Sequence, residues 1–240
     1  SQPLSVLVIG ANGFLGLAIC RAFLRAAAPA TLDYPGANPT LCPFRVYGLV
    51  RRSSAAHELS VNEVVPIVGD IADTERTLRD ILSRSPRWDV IVTCTEPTKT
   101  DPVAEAEHWN ALLHLVVGLA EASNQGAAAA DSSPEARRPY VLWSSGCKDY
   151  GTTRLDGDPE LRPHSEASPL DAPTPIRGRT DAALKALELA ENSRGRGSSG
   201  FDVAILRATP VYGYSGSYFG AAFEYASRAK DVAKVAAEPN

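Results

Sequence analysis

Ser5-Val6-Leu7-Val8-Ile9-Gly10-Ala11-Asn12-Gly13-Phe14-Leu15-Gly16 opens the chain and decides its fold. A short apolar, β-branched run reads as a buried strand. The glycines that follow have the spacing GxxGxxG, and Leu15 to Ala28 then carries apolar residues at helical spacing. Strand, glycine-rich turn and helix in that order form a phosphate cradle. Glycine is needed where the turn is tight, where backbone must approach a pyrophosphate and where helix packs on strand, and the free N–H groups of the helix start attract anions. Gly10, Asn12, Gly13, Phe14, Leu15 and Gly16 are therefore the first candidate cofactor-binding residues.

Downstream, strand-like and helix-like stretches alternate, as βαβ units and a parallel sheet buried on both faces require. Strands are expected at Ser5 to Ile9, Arg45 to Val50, Glu63 to Val68, Val90 to Thr93, Tyr140 to Trp143 and Val203 to Leu206. Helices are expected at Leu15 to Ala28, Asp73 to Ser83, Ala104 to Ser123, Arg179 to Glu191 and Phe219 to Ala237. Pro29 to Pro43, Gly126 to Pro139 and Asn192 to Gly200 read as loops. The expected fold class is α/β, a doubly wound parallel sheet of the Rossmann type. Residues 1–240 form a single nucleotide-binding domain, with 210–240 as the start of a minimal or truncated substrate lobe.

The second strand ends in Arg51-Arg52-Ser53-Ser54 with no carboxylate. At that position an acid would accept from a ribose 2′-hydroxyl, whereas an arginine accommodates a 2′-phosphate. Arg51 and Arg52 thus make NADP(H), in preference to NAD(H), the expected cofactor. Asp70, after the third strand, lies either where the chain passes the adenine or at the N-cap of the next helix.

Composition bounds the alternatives. The chain has 240 residues, 44% hydrophobic and 22% charged, with a net charge of −4, so there is no basic footprint for nucleic acid. No apolar run reaches the roughly 18 residues of a membrane helix, and no secretory signal is evident at the start. A cytoplasmic protein with a small-molecule substrate, no nucleic-acid or membrane partner, and a homodimer as one expected assembly is the resulting picture. Cys20, Cys42, Cys94 and Cys147 have neither paired nor zinc-like spacing, so reduced core cysteines and no metal are expected. The sequence contains no methionine, the initiator included, which points to a trimmed chain or to omitted methionines.

Taken together, Gly10 to Gly16, Gly69-Asp70, Asn110, Trp143-Ser144-Ser145-Gly146 and Leu206-Arg207-Ala208-Thr209-Pro210-Val211-Tyr212-Gly213 resemble the extended short-chain dehydrogenase/reductase family, which includes NAD(P)-dependent epimerases and dehydratases. The resemblance implies a serine after the fifth strand, which Ser145 matches, and a Tyr-x-x-x-Lys couple that transfers the proton. That couple is missing. In one register Pro175 and Arg179 occupy its positions, and in the next Ile176 and Thr180 do. Only 27 residues follow Gly213, where family members continue into a substrate lobe.

Ser145 and His164 are consequently the candidate catalytic residues: Ser145 to hold the reacting oxygen, and His164 because it is the imidazole in the loop that faces the expected cleft. Tyr150 could enter the cleft from its own loop. Two functions follow from the resemblance. One is an NADP(H)-dependent oxidoreductase or epimerase/isomerase of a small carbonyl or hydroxyl compound with a non-standard proton donor; the other is a non-catalytic NADP(H)-binding redox-sensing regulator.

Overall fold

The structure is a computed structural model and describes residues 3–26, 44–98, 101–130, 138–152, 154, 157–194, 200–213 and 218–237. Six strands, β1 (Leu4–Ile9), β2 (Phe44–Val50), β3 (Val65–Val68), β4 (Val90–Thr93), β5 (Tyr140–Gly146) and β6 (Asp202–Ala208), form one sheet in the order β3-β2-β1-β4-β5-β6. Every neighbouring pair is parallel, with Val6 opposite both Val46 and Val90. The helices are α1 (Phe14–Ala26), α2 (Ala56–Val61), α3 (Thr74–Arg84), α4 (Pro102–Ala130), α5 (Arg177–Ser193) and α6 (Tyr218–Ala237). The expected doubly wound α/β fold is therefore present.

The period-2 alternation of each strand divides its side chains between two cores. Val6, Val8, Val46, Val50 and Val92 pack with Cys20 and Leu17 of α1 and Leu59 of α2 on one face. Leu7, Ile9, Tyr47, Leu49, Ile91 and Trp143 pack on the other face with Ile81 of α3, Leu112, Leu115 and Leu119 of α4, and Ala183 and Ala186 of α5. Gly118 lets α3 approach α4 closely: a Cβ there would lie 2.9 Å from Leu78 Cδ2.

Several boundaries differ from expectation. α4 runs on to Ala130, so the first residues of the Gly126 to Pro139 segment are helical. Alanine is the strongest helix former, and a run of it prolongs a helix even without an apolar stripe. α2, only six residues long, is too short to leave a periodic signature. β5 continues past Trp143 to Gly146 and pairs Ser145 with Arg207 of β6, which carries Ser144 and Ser145 on the strand instead of in the loop beyond it. The Pro29 to Pro43 segment, with Cys42, lies outside the described residues, as do residues 131–137 and 195–199.

Candidate functional site

The strand order reverses between β1 and β4, and in open parallel sheets that switch point leaves a crevice at the carboxyl ends of the strands. Here the crevice is a groove of about 180 Å³. Gly10 and Asn12 line it after β1, Arg51 and Arg52 after β2, Asp70 and Ile71 after β3, Thr95 and Glu96 after β4, and His108 reaches it from α4. Four consecutive strand ends thus contribute to one cavity.

The glycines fit the cradle for steric reasons that the backbone makes explicit. Gly10 has φ +84°, and a Cβ on it would lie 2.6 Å from the carbonyl oxygen of Cys94 at the end of β4. Both conditions exclude a side chain. A Cβ on Gly16 would lie 2.2 Å from the carbonyl oxygen of Gly10, so this glycine is what allows α1 to start directly against β1. The N–H groups of Gly10 and Ala11 both donate to Leu49 O, pinning the turn to β2, while Asn12 and Gly13 remain exposed at the mouth of the helix. No acid occupies the first turn of α1, so nothing competes with an incoming phosphate for the positive helix end.

Arg51 and Arg52 are exposed where β2 ends, and Ser53 and Ser54 begin the short helical turn that leads into α2. Asp70 is not the helix cap: α3 starts at Thr74, and Asp70 Oδ1 instead accepts from the N–H of Ala72 while its carbonyl accepts from Thr77 Oγ1. Its carboxylate is held at the groove by its own turn. His108, read from sequence only as too far from His114 to form a ligand pair, faces the groove, and burial pushes its pKa below the usual imidazole value of 6.5.

At the neighbouring strand end the structure assembles a second constellation. Asp149, in the turn after β5, is fully buried. Its Oδ2 accepts from Ser145 Oγ at 2.5 Å and from Arg207 Nε at 3.2 Å. Its Oδ1 accepts from Thr180 Oγ1 at 2.9 Å and from Arg179 Nη2 at 3.2 Å. Four donors match the roughly four lone-pair sites of a carboxylate. Arg179 also reaches Glu96 of the groove, with Nη1 3.6 Å from Oε1. Arg179 and Thr180 are the residues that the two registers place where the lysine is missing.

His164 is exposed in its loop and stacks on Tyr150, with ring centroids 4.7 Å apart and planes 8° from parallel. The guanidinium of Arg207 lies over the ring of Tyr150 at 5.5 Å. Ser145 and His164 are thus tied to the same end of the sheet through Asp149, Arg207 and Tyr150. Sequence reading missed Asp149, Arg179, Arg207, Glu96 and His108 as site residues. Glu96 was accessible from the strand-end rule applied to β4, whereas nothing in the sequence marks Asp149 as buried.

Among the described residues no helix is long and apolar enough to cross a membrane, and no group of His, Cys, Asp and Glu side chains could hold a metal ion. Cys20 is buried, Cys94 and Cys147 are half-buried, and none of these three is in a disulfide. Burial pushes the thiols of Cys20 and Cys94 up to about 12 and about 11.

Neither known family models nor curated proteins match the sequence. Solved structures do match in shape. A UDP-Glc/GlcNAc 4-epimerase from Campylobacter jejuni is 17% identical with a TM-score of 0.55, the match covering 85% of this chain and 53% of that one. A short-chain dehydrogenase/reductase superfamily protein from Agrobacterium tumefaciens with bound NAD is 19% identical with a TM-score of 0.54, covering 85% and 48%. The Pseudomonas aeruginosa RhlG/NADP complex is 16% identical with a TM-score of 0.57, covering 93% and 77%. This chain spans about half the length of the first two. It shares the parallel-sheet α/β fold of these dehydrogenase/reductase and epimerase structures, as the resemblance of its motifs led us to expect.

Proposed function

We propose that this chain binds NADP(H) in the groove between β1 and β4 and acts as an oxidoreductase or epimerase/isomerase on a small carbonyl or hydroxyl compound at the adjoining end of β5. The observation that carries the reading is the convergence in one groove of Gly10, Asn12, Arg51, Arg52 and Asp70 from three successive strand ends. The glycine cradle accepts a pyrophosphate, Arg51 and Arg52 pair with a 2′-phosphate, and Asp70 lies beside the adenine end. Phe14, Leu15 and Gly16 complete the helix start that faces the phosphates.

A nicotinamide nucleotide bound here supplies hydride transfer. The chain's own residues then hold the reacting oxygen and manage its proton. Ser145 is the residue proposed to hold that oxygen, and its proton is already committed to Asp149, which as a carboxylate can only accept. Ser145 therefore meets the substrate with its lone pairs, an arrangement suited to receiving a substrate hydroxyl. His164, on the outer side of Tyr150, is the proposed proton exchanger with solvent. The protein is proposed to work in the cytoplasm, with no membrane or nucleic-acid partner and with a homodimer as its assembly.

One observation favours the second reading, a nucleotide-binding regulator without turnover. In the two registers the lysine of the missing couple is replaced by Arg179 or Thr180, both bonded to Asp149, and its tyrosine by Pro175 or Ile176, whose side chains carry no proton to give. Following NADPH absorbance against a panel of aldehydes, ketones and sugar nucleotides separates the two. Oxidation marks the enzyme; binding without oxidation marks the regulator.

A further inference from the structure

The two arginines around Asp149 are not equivalent. Arg179 spends Nη2 on Asp149 and Nη1 on Glu96, and its Nε is buried. Arg207 uses only Nε, toward Asp149, and its two terminal nitrogens make no hydrogen bond among the described residues. Those nitrogens are not sealed in protein either. The buried, unpartnered side-chain nitrogens among the described residues belong to Trp88, His108, Arg138, Trp143 and Arg179. Arg207 is thus a guanidinium whose side chain is only 14% exposed, fixed at Nε and supported by the ring of Tyr150, with neither Nη group fully enclosed by the described residues.

Two guanidiniums share the one buried carboxylate of Asp149, whose lone pairs are already filled by four donors. Glu96 approaches Arg179 and is itself largely exposed. Arg207 is therefore paired with Asp149 through Nε alone, and its Nη groups meet no acid among the described residues, in a place where much of its hydration has been stripped away. A planar fork held rigid by its Nε, with two parallel N–H directions free, is the geometry that binds a carboxylate or a phosphate bidentately.

We propose that Arg207 is an anion-binding residue of the substrate cleft, so that the compound handled beside Ser145 carries a carboxylate or a phosphate group. This rests on the reading that substrate enters at the end of β5. Tyr150 and Asp149 are then positioning residues, one under the guanidinium and one behind it. The proposal explains why a buried aspartate sits in the turn after β5: it orients Arg207 and Ser145 together, so that an anionic group and a neighbouring hydroxyl are held in a fixed relation.

The test is titration of the full chain, loaded with NADPH, with oxamate and separately with inorganic phosphate, followed by calorimetry and by the arginine Nε–H signals in proton–nitrogen spectra. Saturable binding of one anion, with the Arg207 Nε–H signal moving most, is expected. Oxamate binding identifies a carboxylate substrate, and phosphate binding identifies a phosphorylated one. Arg207→Lys keeps the charge toward Asp149 but loses the fork, and should weaken binding by about tenfold or more. If that variant does not fold, the Arg207 signal in the unmodified chain decides. Absence of saturable binding by both anions overturns the proposal, as does an affinity that Arg207→Lys leaves unchanged. Should NADPH itself fail to bind, the proposed function fails, and the same titration of the chain alone still decides the anion site.

Discussion

The hydroxyl of Ser145 donates to Oδ2 of Asp149 at 2.5 Å, across a turn of four residues, and that carboxylate is fully buried against two guanidiniums. Removing one partner of a buried ionic group leaves the others uncompensated, which is far more costly than the net worth of the pair. Asp149→Ala should therefore lower the unfolding free energy by roughly 3 to 5 kcal/mol, read from urea denaturation monitored by tryptophan fluorescence. A loss below about 1 kcal/mol, the range of exposed pairs, would mean that the cluster is solvated.

Ser145→Ala addresses the proposed chemistry. It should reduce turnover of any substrate by about tenfold, the size expected for losing one hydrogen bond of roughly 1.5 kcal/mol that receives the substrate hydroxyl. NADPH affinity should be unchanged, because Ser145 does not line the groove proposed to hold the nucleotide. Full activity in this variant would place the reacting oxygen elsewhere.

His164→Ala tests the proton exchanger separately. The imidazole is exposed and held only by stacking on Tyr150, so its loss should leave stability within about 0.5 kcal/mol. The rate should fall while NADPH affinity stays unchanged. An unaltered rate would return His164 to an ordinary surface residue.

How much of this was legible beforehand follows from which signals are local. Val6 to Ile9 and the glycines after it announce strand, turn and helix within twelve residues, and Gly10 and Gly16 proved to be fixed by backbone contacts to Cys94 and to one another. Arg51 and Arg52 were readable because a strand end is a defined place in this architecture. Asp149 was not readable. Its role depends on Arg179 and Thr180, thirty and thirty-one positions later, and on Arg207, fifty-eight positions later, which only the β5–β6 pairing and the approach of α5 bring together. His108 was hidden for a similar reason. An α4 residue acquires its groove only when α4 packs beside the end of β4.

His108 makes a prediction about pH. Burial lowers its pKa below 6.5, opposed by a hydrogen bond to the backbone of Thr95 and by the charge of Asp70, with Arg51 adding to the lowering. The folded chain therefore binds fewer protons here than the unfolded chain once pH drops toward the unfolded value. This contribution to stability is intact above about 6.5 and is lost as pH falls through the folded pKa. His108→Gln should flatten that part of the stability profile, measured as urea midpoints between about pH 5 and pH 7. An equally steep profile in the variant would assign the slope to other groups.

The central claim is that the groove between β1 and β4 holds NADP(H) through Arg51 and Arg52. Isothermal titration of the unmodified chain with NADPH and with NADH tests it directly, with Arg51→Ala/Arg52→Ala alongside. A charge-assisted contact to the 2′-phosphate contributes roughly 1.5 to 3 kcal/mol, so NADPH should bind about 10- to 100-fold more tightly than NADH. The double variant should lose that preference while keeping its affinity for NADH. Equal affinities in the unmodified chain, or a preference that survives the loss of both arginines, would contradict the account.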